Sequence, residues 1–226
     1  MAVELKQHYV AFLDVLGFSE MVRSDVREEK QVFLTKLFRC HQGAVGIFKN
    51  EPNCSITQFS DSIVIARPYD DREFEYFITC VAEYQRLLLD EGLLCRGGIA
   101  VDKHFSNGTF TFSAGLISAY IVESTAARYP RVVVSRDVLD LVFPDFQKIS
   151  KGLVKEDDGL IFVDYLGVTF RKKPMTLRAN VRVLVENLAK SAQSSVREKG
   201  LWLAAYADAT FKTRMKGPRF RRNVGP

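Results

Sequence analysis

The chain has 226 residues, of which 47% are hydrophobic and 26% are charged, so it is long enough to bury one substantial core. Its net charge of +5 and pI near 9.0 point to a polyanionic partner, but residues 212–226 hold six Lys or Arg and no acid. Because the remainder is close to balanced, we expect the body of the protein to need no nucleic acid.

The cysteines and the amino terminus exclude further classes of protein. Cys40, Cys54, Cys80 and Cys95 form no Cys-x-x-Cys pair, and three scattered histidines complete no obvious zinc site. Residues 1–14 lack the basic and apolar segments of a secretion signal, and no apolar run approaches the ~20 residues that cross a bilayer. We therefore expect reduced thiols, no membrane span and a cytoplasmic location.

The first predicted element is a strand at residues 8–15, which is rich in aromatic and aliphatic side chains and ends before a glycine. It carries Asp14 near its carboxyl end. Apolar residues then recur at helical spacing over about 18–48, around a charged segment, which predicts two helices with a break. Residues 54–67 predict two short strands joined by a tight polar turn that holds Asp61 at its tip.

Helices and strands alternate in the segments that follow. We expect a helix over about 70–90, a strand with paired glycines at 93–105, a helix at 114–127 and a strand at 131–135. The resulting βααββαβ order is typical of an α+β sandwich with helices on one face of a mostly antiparallel sheet. A further hairpin is expected around 159–165.

The rest of the chain predicts a long helical segment over about 176–213, with the basic tail at its end. No internal repeat or low-complexity linker interrupts the sequence. We therefore expect one domain over residues 1–175, which holds all the candidate groups discussed next, and a C-terminal helical extension with a basic tail over residues 176–226.

Two carboxylates are the candidate chemical groups. Asp14 ends an apolar strand, where a charge is costly unless a cation or a helix N-terminus lies beside it. Asp61 is an ordinary turn residue when taken alone. If the strand and the hairpin are neighbours in one sheet, however, both carboxylates enter one oxygen-rich site, which suits Mg²⁺ or Mn²⁺. Two such ions about 4 Å apart activate a hydroxyl and neutralise a leaving pyrophosphate, and N–H groups after Asp14 would cradle phosphate.

Three segments carry a resemblance to a known family: FLDVLGFSEM at 12–21, ITQFSDSIVIA at 56–66 and CRGGIAVDKHF at 95–105. They are similar to the two metal motifs and the following strand of the class III adenylate and guanylate cyclases. The resemblance implies a class III cyclase-like fold, two Mn²⁺ or Mg²⁺ ions per site, and a head-to-tail homodimer whose active sites are shared. The residues that it implies as ligands are Asp14, Asp61 and the backbone carbonyl of Val15 for metal, and Gly17, Phe18 and Ser19 for the triphosphate.

Several positions depart from the purine cyclases. Thr57 stands where a purine-reading Lys is usual, Phe112 falls near the Asp that pairs with that Lys, and Ala119 and Glu123 replace the usual Asn and Arg. The sequence more closely resembles the pyrimidine cyclases of the bacterial Pycsar antiphage systems, which share GFS, FSDS, RGGI with KHF, AY-x-x-E and Lys-x-x-Trp-Leu. This resemblance implies a pyrimidine nucleoside triphosphate, with UTP preferred over CTP, and a cyclic product that activates a downstream effector.

Other residues and functions stay open at this point. Arg96 and Lys103 either reach a triphosphate or are surface cations, and Phe59 either stacks on a base or packs in the core, as does Phe112. We expect His104 to be structural. The alternatives to a pyrimidine cyclase are a purine cyclase, an inactive cyclase-like domain that binds nucleotide or protein, and a nucleic-acid-binding module that depends on the basic tail.

Overall fold

The computed structural model describes residues 4–48, 53–144 and 150–216. Its contacts divide the chain into two compact units, Met1–Thr169 and Phe170–Pro226. The division predicted after residue 175 lies close to this boundary, but its assignment of catalysis to the first part stays a prediction.

The first unit contains one sheet of eight strands. Their bounds are β1 Lys6–Val15, β2 Ser55–Phe59, β3 Ser62–Pro68, β4 Cys95–Ser106, β5 Thr111–Ser113, β6 Val132–Val134, β7 Leu153–Lys155 and β8 Ile161–Val163. The spatial order is β2-β3-β1-β4-β6-β8-β7, and β5 pairs with β4. All of these pairings are antiparallel except β4 with β6.

Six helices of the first unit and two of the second are described. Their bounds are α1 Phe18–Arg27, α2 Val32–Phe48, α3 Phe74–Asp90, α4 Ala114–Ala126, α5 Arg136–Val142, α6 Tyr165–Thr169, α7 Pro174–Ala189 and α8 Ser194–Phe211. The predicted βααββαβ order and the α+β class with a mostly antiparallel sheet are confirmed. Among the described helices, none is both long and apolar enough to cross a bilayer.

Helices cover both faces of the central strand β1. On one face, Tyr9 packs its ring 5.3 Å from Phe74 and 5.5 Å from Phe77 of α3. On the other, Val10 and Phe12 join a buried cluster with Ala119 of α4, together with residues of β3 and β4. Successive side chains of a strand point to opposite faces, so a strand covered on both sides must be apolar throughout. The prediction that all helices lie on one face is therefore wrong for α4.

Glycine residues allow α4 to lie close to the sheet. A Cβ on Gly98 of β4 would collide with the carbonyl oxygen of Ala119 and would lie 2.7 Å from the backbone nitrogen of Glu123. A Cβ on Gly115 of α4 would lie 2.8 Å from a methyl carbon of Val10. Since backbone meets backbone at Gly98, no side-chain rotation can relieve the contact. The spacing between α4 and β4 therefore depends on this glycine.

Within the part of the second unit that the structure describes, two helices pack against each other. A Cβ on Gly200 of α8 would lie 2.8 Å from Leu188 Cβ of α7, so the two helices approach closely at this point. At the other end the rings of Phe170 and Phe211 stack at 5.4 Å, and the Arg178 guanidinium lies 5.1 Å from the Phe170 ring. The helical segment predicted over about 176–213 is thus two helices joined by a short turn.

The positive charge belongs to the whole second unit. Residues 170–226 contain 14 Lys or Arg and 3 Asp or Glu, a net +11, whereas residues 1–169 contain 18 and 24, a net −6. The near balance of residues 1–211, with 26 Lys or Arg against 27 Asp or Glu, is thus the sum of an acidic first unit and basic helices in the second; residues 217–226 of the tail lie outside the described residues. The unit with the sheet is acidic, which favours cations over polyanions.

We predict that Gly98→Ala lowers the free energy of unfolding by about 2–4 kcal/mol, because α4 must move away from β4. Urea unfolding followed by circular dichroism measures this change. The matched control is Gly46→Ala in α2, where a Cβ meets nothing within 4 Å. There we expect a gain of about 0.5–1 kcal/mol, since alanine favours helix interiors. Wild-type stability in Gly98→Ala would contradict the close contact.

Candidate active site

The register of β1 brings its terminal carboxylate between two other polar side chains. Asp14 lies directly across from Ser62 of β3 and from Arg96 of β4. Residues that face each other in antiparallel strands project to the same side of the sheet. Asp14, Ser62 and Arg96 therefore share one face, which is the face covered further along by α4.

The hairpin of β2 and β3 delivers the second carboxylate. Phe59 pairs with Ser62, so Ser60 and Asp61 form a two-residue loop, and Ser60 has a positive φ of 56°. A positive φ at the first loop position is the pattern of a type II′ turn, which matches the twist of the flanking strands. The Val15 N–H donates to the Asp61 carbonyl oxygen at 3.0 Å, so the turn is fastened to the end of β1. Asp14 and Asp61 are thus brought together as predicted.

Asp14 sits where its negative charge is unfavourable. Its side chain is 22% exposed. Burial raises the pKa of Asp14, the hydrogen bond and charge of Arg96 oppose that rise, and repulsion from Asp61 adds to it. A cation between the two carboxylates would remove both unfavourable effects.

Arg96 connects Asp14 to a third acid. Its Nε donates to Asp14 Oδ2 at 3.1 Å and lies 2.7 Å from Glu123 Oε1 of α4. Glu123 is 2% exposed, and burial raises its pKa while Arg96 opposes the rise. The single Nε hydrogen serves Asp14, so Glu123 Oε1 has a charge partner but no hydrogen bond among the described residues. The cluster therefore has three carboxylates and one guanidinium.

The start of α1 follows these acids directly. Gly17 caps the helix with φ 81°, and its carbonyl accepts from Glu20 and Met21 N–H at 3.1 Å. The first N–H groups of a helix have no acceptor within the helix, and the helix dipole makes this end positive. Gly17 and Ser19 are exposed and Phe18 is half-buried. This segment could hold phosphate oxygens beside Asp14.

The other two predicted substrate residues lie at different places. Thr57 of β2 faces Val64, which faces Phe12, so Thr57 is on the same face as Asp14, two strands away or about 10 Å across the sheet. Lys103 is seven residues along β4 from Arg96, about 23 Å at strand spacing, and the alternation of side chains turns it to the opposite face. Within one chain, Lys103 does not join the carboxylates.

The remaining candidates are two aromatic side chains, Phe59 and Phe112, and one imidazole, His104. Phe59 is 53% exposed and Phe112 is 62% exposed, so of the two alternatives left open for each, packing in the core is wrong. His104 is 3% exposed, and its Nδ1 lies 2.8 Å from the Ser113 hydroxyl that caps α4. Burial, with a smaller contribution from His8, lowers the pKa of His104 to about 4. A neutral, structural imidazole agrees with the prediction.

Sequence reasoning missed the place of Glu123 in the site. It treated Glu123 only as a departure from the usual Arg, yet the structure buries this carboxylate against Arg96. Ala119, at the position of the usual Asn, is also fully buried, on the side of α4 that meets the sheet. The available signal was that Glu123 is the one charged residue of the α4 segment AGLISAYIVESTA.

The donor set is compatible with divalent cations that keep oxygen ligands from water and substrate. Across the described residues, no three His, Cys, Asp or Glu side chains form a metal-binding group. Mg²⁺ is commonly held by one or two carboxylates together with substrate phosphates and waters, not by a cage of side chains. Asp14, Asp61 and the backbone carbonyl of Val15 could therefore hold such ions at this place.

Solved structures with the same fold are nucleotidyl cyclases. The adenylyl cyclase CyaB from P. aeruginosa is 14% identical, with a TM-score of 0.53 over 72% of this chain and 95% of that chain. The monomeric guanylyl cyclase domain of the RhoGC fusion protein from the aquatic fungus Blastocladiella emersonii is 13% identical, with a TM-score of 0.52 over 72% and 98%. No family model and no curated protein matches the sequence. The chain has the fold of nucleotidyl cyclase catalytic domains.

We predict that Asp14→Asn melts at a higher temperature than wild type when metal is chelated, because burial and Asp61 make the charged form of Asp14 unfavourable. Each kcal/mol gained corresponds to about 2–4 °C for a chain of this size. Thermal unfolding with EDTA and then with Mn²⁺ measures the effect. Mn²⁺ should stabilise wild type and leave Asp14→Asn unchanged; equal stabilisation of both would place the ion elsewhere.

Proposed function

We propose that this chain converts a pyrimidine nucleoside triphosphate, with UTP preferred, to the 3′,5′-cyclic monophosphate and pyrophosphate. In this reaction the 3′ oxygen loses its proton and bonds to the α-phosphorus, and the bond from that phosphorus to the pyrophosphate oxygen breaks. The observation that carries the proposal is the pair of Asp14 and Asp61, joined by the Val15 to Asp61 hydrogen bond in the fold of nucleotidyl cyclases.

Each residue of the site has a role in this reaction. Asp14, Asp61 and the Val15 carbonyl would hold two Mn²⁺ or Mg²⁺ ions, which when bound would supply activation of the hydroxyl and charge neutralisation at the leaving group. Gly17, Phe18 and Ser19 offer backbone N–H groups to the triphosphate at the start of α1, and Arg96 offers its guanidinium.

The pyrimidine preference is supported by Thr57 and by the resemblance to the Pycsar cyclases. The Thr57 hydroxyl can both donate and accept a hydrogen bond, and Thr57 lies on the same face as Asp14. A site built for one base edge rejects another when buried polar groups are left unpaired. The second candidate is a purine cyclase, because the similar structures are an adenylyl and a guanylyl cyclase.

The resemblance to the Pycsar cyclases also leads us to propose a biological role. The cyclic nucleotide would act as a signal in antiviral defence, and a downstream effector would bind it.

Incubation with UTP, CTP, ATP and GTP at equal concentration, with Mn²⁺ and product detection by mass spectrometry, tests this function. We expect cyclic UMP to dominate. Asp14→Asn and Asp61→Asn should each lower its rate at least about 100-fold, because each removes a metal ligand. Asp137→Asn, an exposed acid of α5, is the control and should keep wild-type activity.

The outcomes of this assay separate the candidates. Dominant cyclic AMP or cyclic GMP would overturn the pyrimidine preference and retain the cyclase. Absence of any cyclic product would favour the inactive cyclase-like domain. Full activity in either metal-ligand variant would show that the two-metal assignment is wrong.

The exposed surface of α4 supports a homodimer with shared sites. Ile117, Tyr120 and Ile121 are 62%, 53% and 52% exposed, and Phe112 lies just before this helix at 62%. Contiguous apolar surface of this kind marks an interaction site. We propose that a second copy of the chain covers this face, which includes the side of the sheet that bears Asp14.

We predict that Ile121→Asp abolishes the dimer, because a buried charge without a partner costs several kcal/mol. Sedimentation velocity measures the oligomeric state, and the cyclase assay is run on the same samples. Val183→Asp of α7, a site that is 55% exposed, is the control and should leave both unchanged. Full activity from a monomeric Ile121→Asp protein would exclude shared sites.

A further inference from the structure

The Arg96 guanidinium is held along one edge and open along the other. Its Nε contacts Asp14 and Glu123, whereas Nη1 and Nη2 hydrogen-bond to no described residue. The side chain is 34% exposed, and neither nitrogen is among the buried polar atoms that lack a partner, so both reach solvent. An arginine has five N–H donors in a planar fork, and four of them belong to Nη1 and Nη2. Four donors beside Asp14 are therefore available to an anion.

Stability does not explain why Glu123 is an acid. The residue is 2% exposed, its Oε1 accepts no hydrogen bond among the described residues, and it is the one charge of α4. A buried ion pair is often no more stable than apolar residues of similar volume. The close approach of α4 at Gly98 nevertheless brings this carboxylate to the inner edge of Arg96.

The contact with Glu123 limits how Arg96 can pair with Asp14. An arginine with a single carboxylate partner tends to form two parallel hydrogen bonds with it. In this structure one N–H of Arg96, that of Nε, donates to Asp14. Glu123 also attracts the guanidinium at Nε. This attraction keeps Arg96 from turning to form a second, parallel hydrogen bond with Asp14.

Resting on the proposed function, we propose that Glu123 is a positioning residue for triphosphate binding. It holds Arg96 by Nε so that Nη1 and Nη2 face the triphosphate oxygens and Asp14 keeps an oxygen for metal. The positive charge at the phosphates is then supplied from β4 of the same chain.

Glu123→Gln tests this role because two explanations predict opposite signs. If Glu123 acted only as a negative charge near the site, its removal would tighten the binding of an anionic triphosphate. If it positions Arg96, its removal releases the guanidinium onto Asp14, and binding weakens. Isothermal titration with Mn²⁺ and the 3′-deoxy analogues of UTP, CTP, ATP and GTP, which lack the attacking hydroxyl, measures Kd without turnover.

We expect Glu123→Gln to raise the Kd of the preferred analogue about tenfold or more, and Arg96→Lys to do the same, since an ammonium lacks the fork. The double variant should bind no more weakly than Arg96→Lys, because Glu123 acts through Arg96. Glu73→Gln is the control. It removes an acid from the pair with Arg67, which lies across from Tyr9 and therefore on the face of the sheet away from Asp14, and it should keep the wild-type Kd.

An unchanged or lower Kd in Glu123→Gln, or additive effects in the double variant, would overturn the positioning role. Failure to bind any of the four analogues by wild type would overturn it as well. If wild type cyclises a triphosphate and Glu123→Gln binds normally, only this inference fails. If the analogues bind and weaken as expected but no cyclic product forms, the proposed function fails and the positioning role stands.

Discussion

The antiparallel pairing of β1 with both of its neighbours is the constraint on which the site depends. It places Ser62 and Arg96 on either side of Asp14 and leads β3 back to the turn that carries Asp61. A slip of one residue would turn Asp14 to the other face, which packs against α3. Because β1 is apolar on both faces, such a slip buries no additional apolar surface. It also leaves the Asp14 carboxylate buried in the core without a partner, which is costly.

The parts of the structure that depend on local signals could be predicted from the sequence. The strand at 8–15, the hairpin at 54–67 and the helix at about 70–90 each have a clear apolar period and a turn or stop signal at the end. Because β1 and the hairpin are neighbours in the sheet, Asp14 and Asp61 could be expected to meet. The pairing of Asp14 with Asp61 therefore follows from two short sequence motifs and from the position of β1 beside the hairpin.

The parts that depend on long-range packing could not be predicted. Polar and apolar residues of the α4 segment do not separate onto two faces, so the sequence does not reveal which side meets the sheet or that Glu123 lies on that side. Lys103 resembles Arg96 as a cation on the same strand, but their odd separation sends them to opposite faces. The charge of the second unit was hidden because its cations are spread over two helices and a tail.

Helix α4 joins the proposed dimer to the proposed chemistry. Its inner side presents Glu123 to Arg96, and its outer side presents Ile117 and Ile121 to solvent. A second chain on the outer side would exclude water from the neighbourhood of Arg96, which is one-third exposed in the single chain. Ionic interactions strengthen as water is excluded, so the attraction between this guanidinium and a triphosphate would increase on assembly. Dimerisation would then strengthen binding through an arginine that each chain already holds in place.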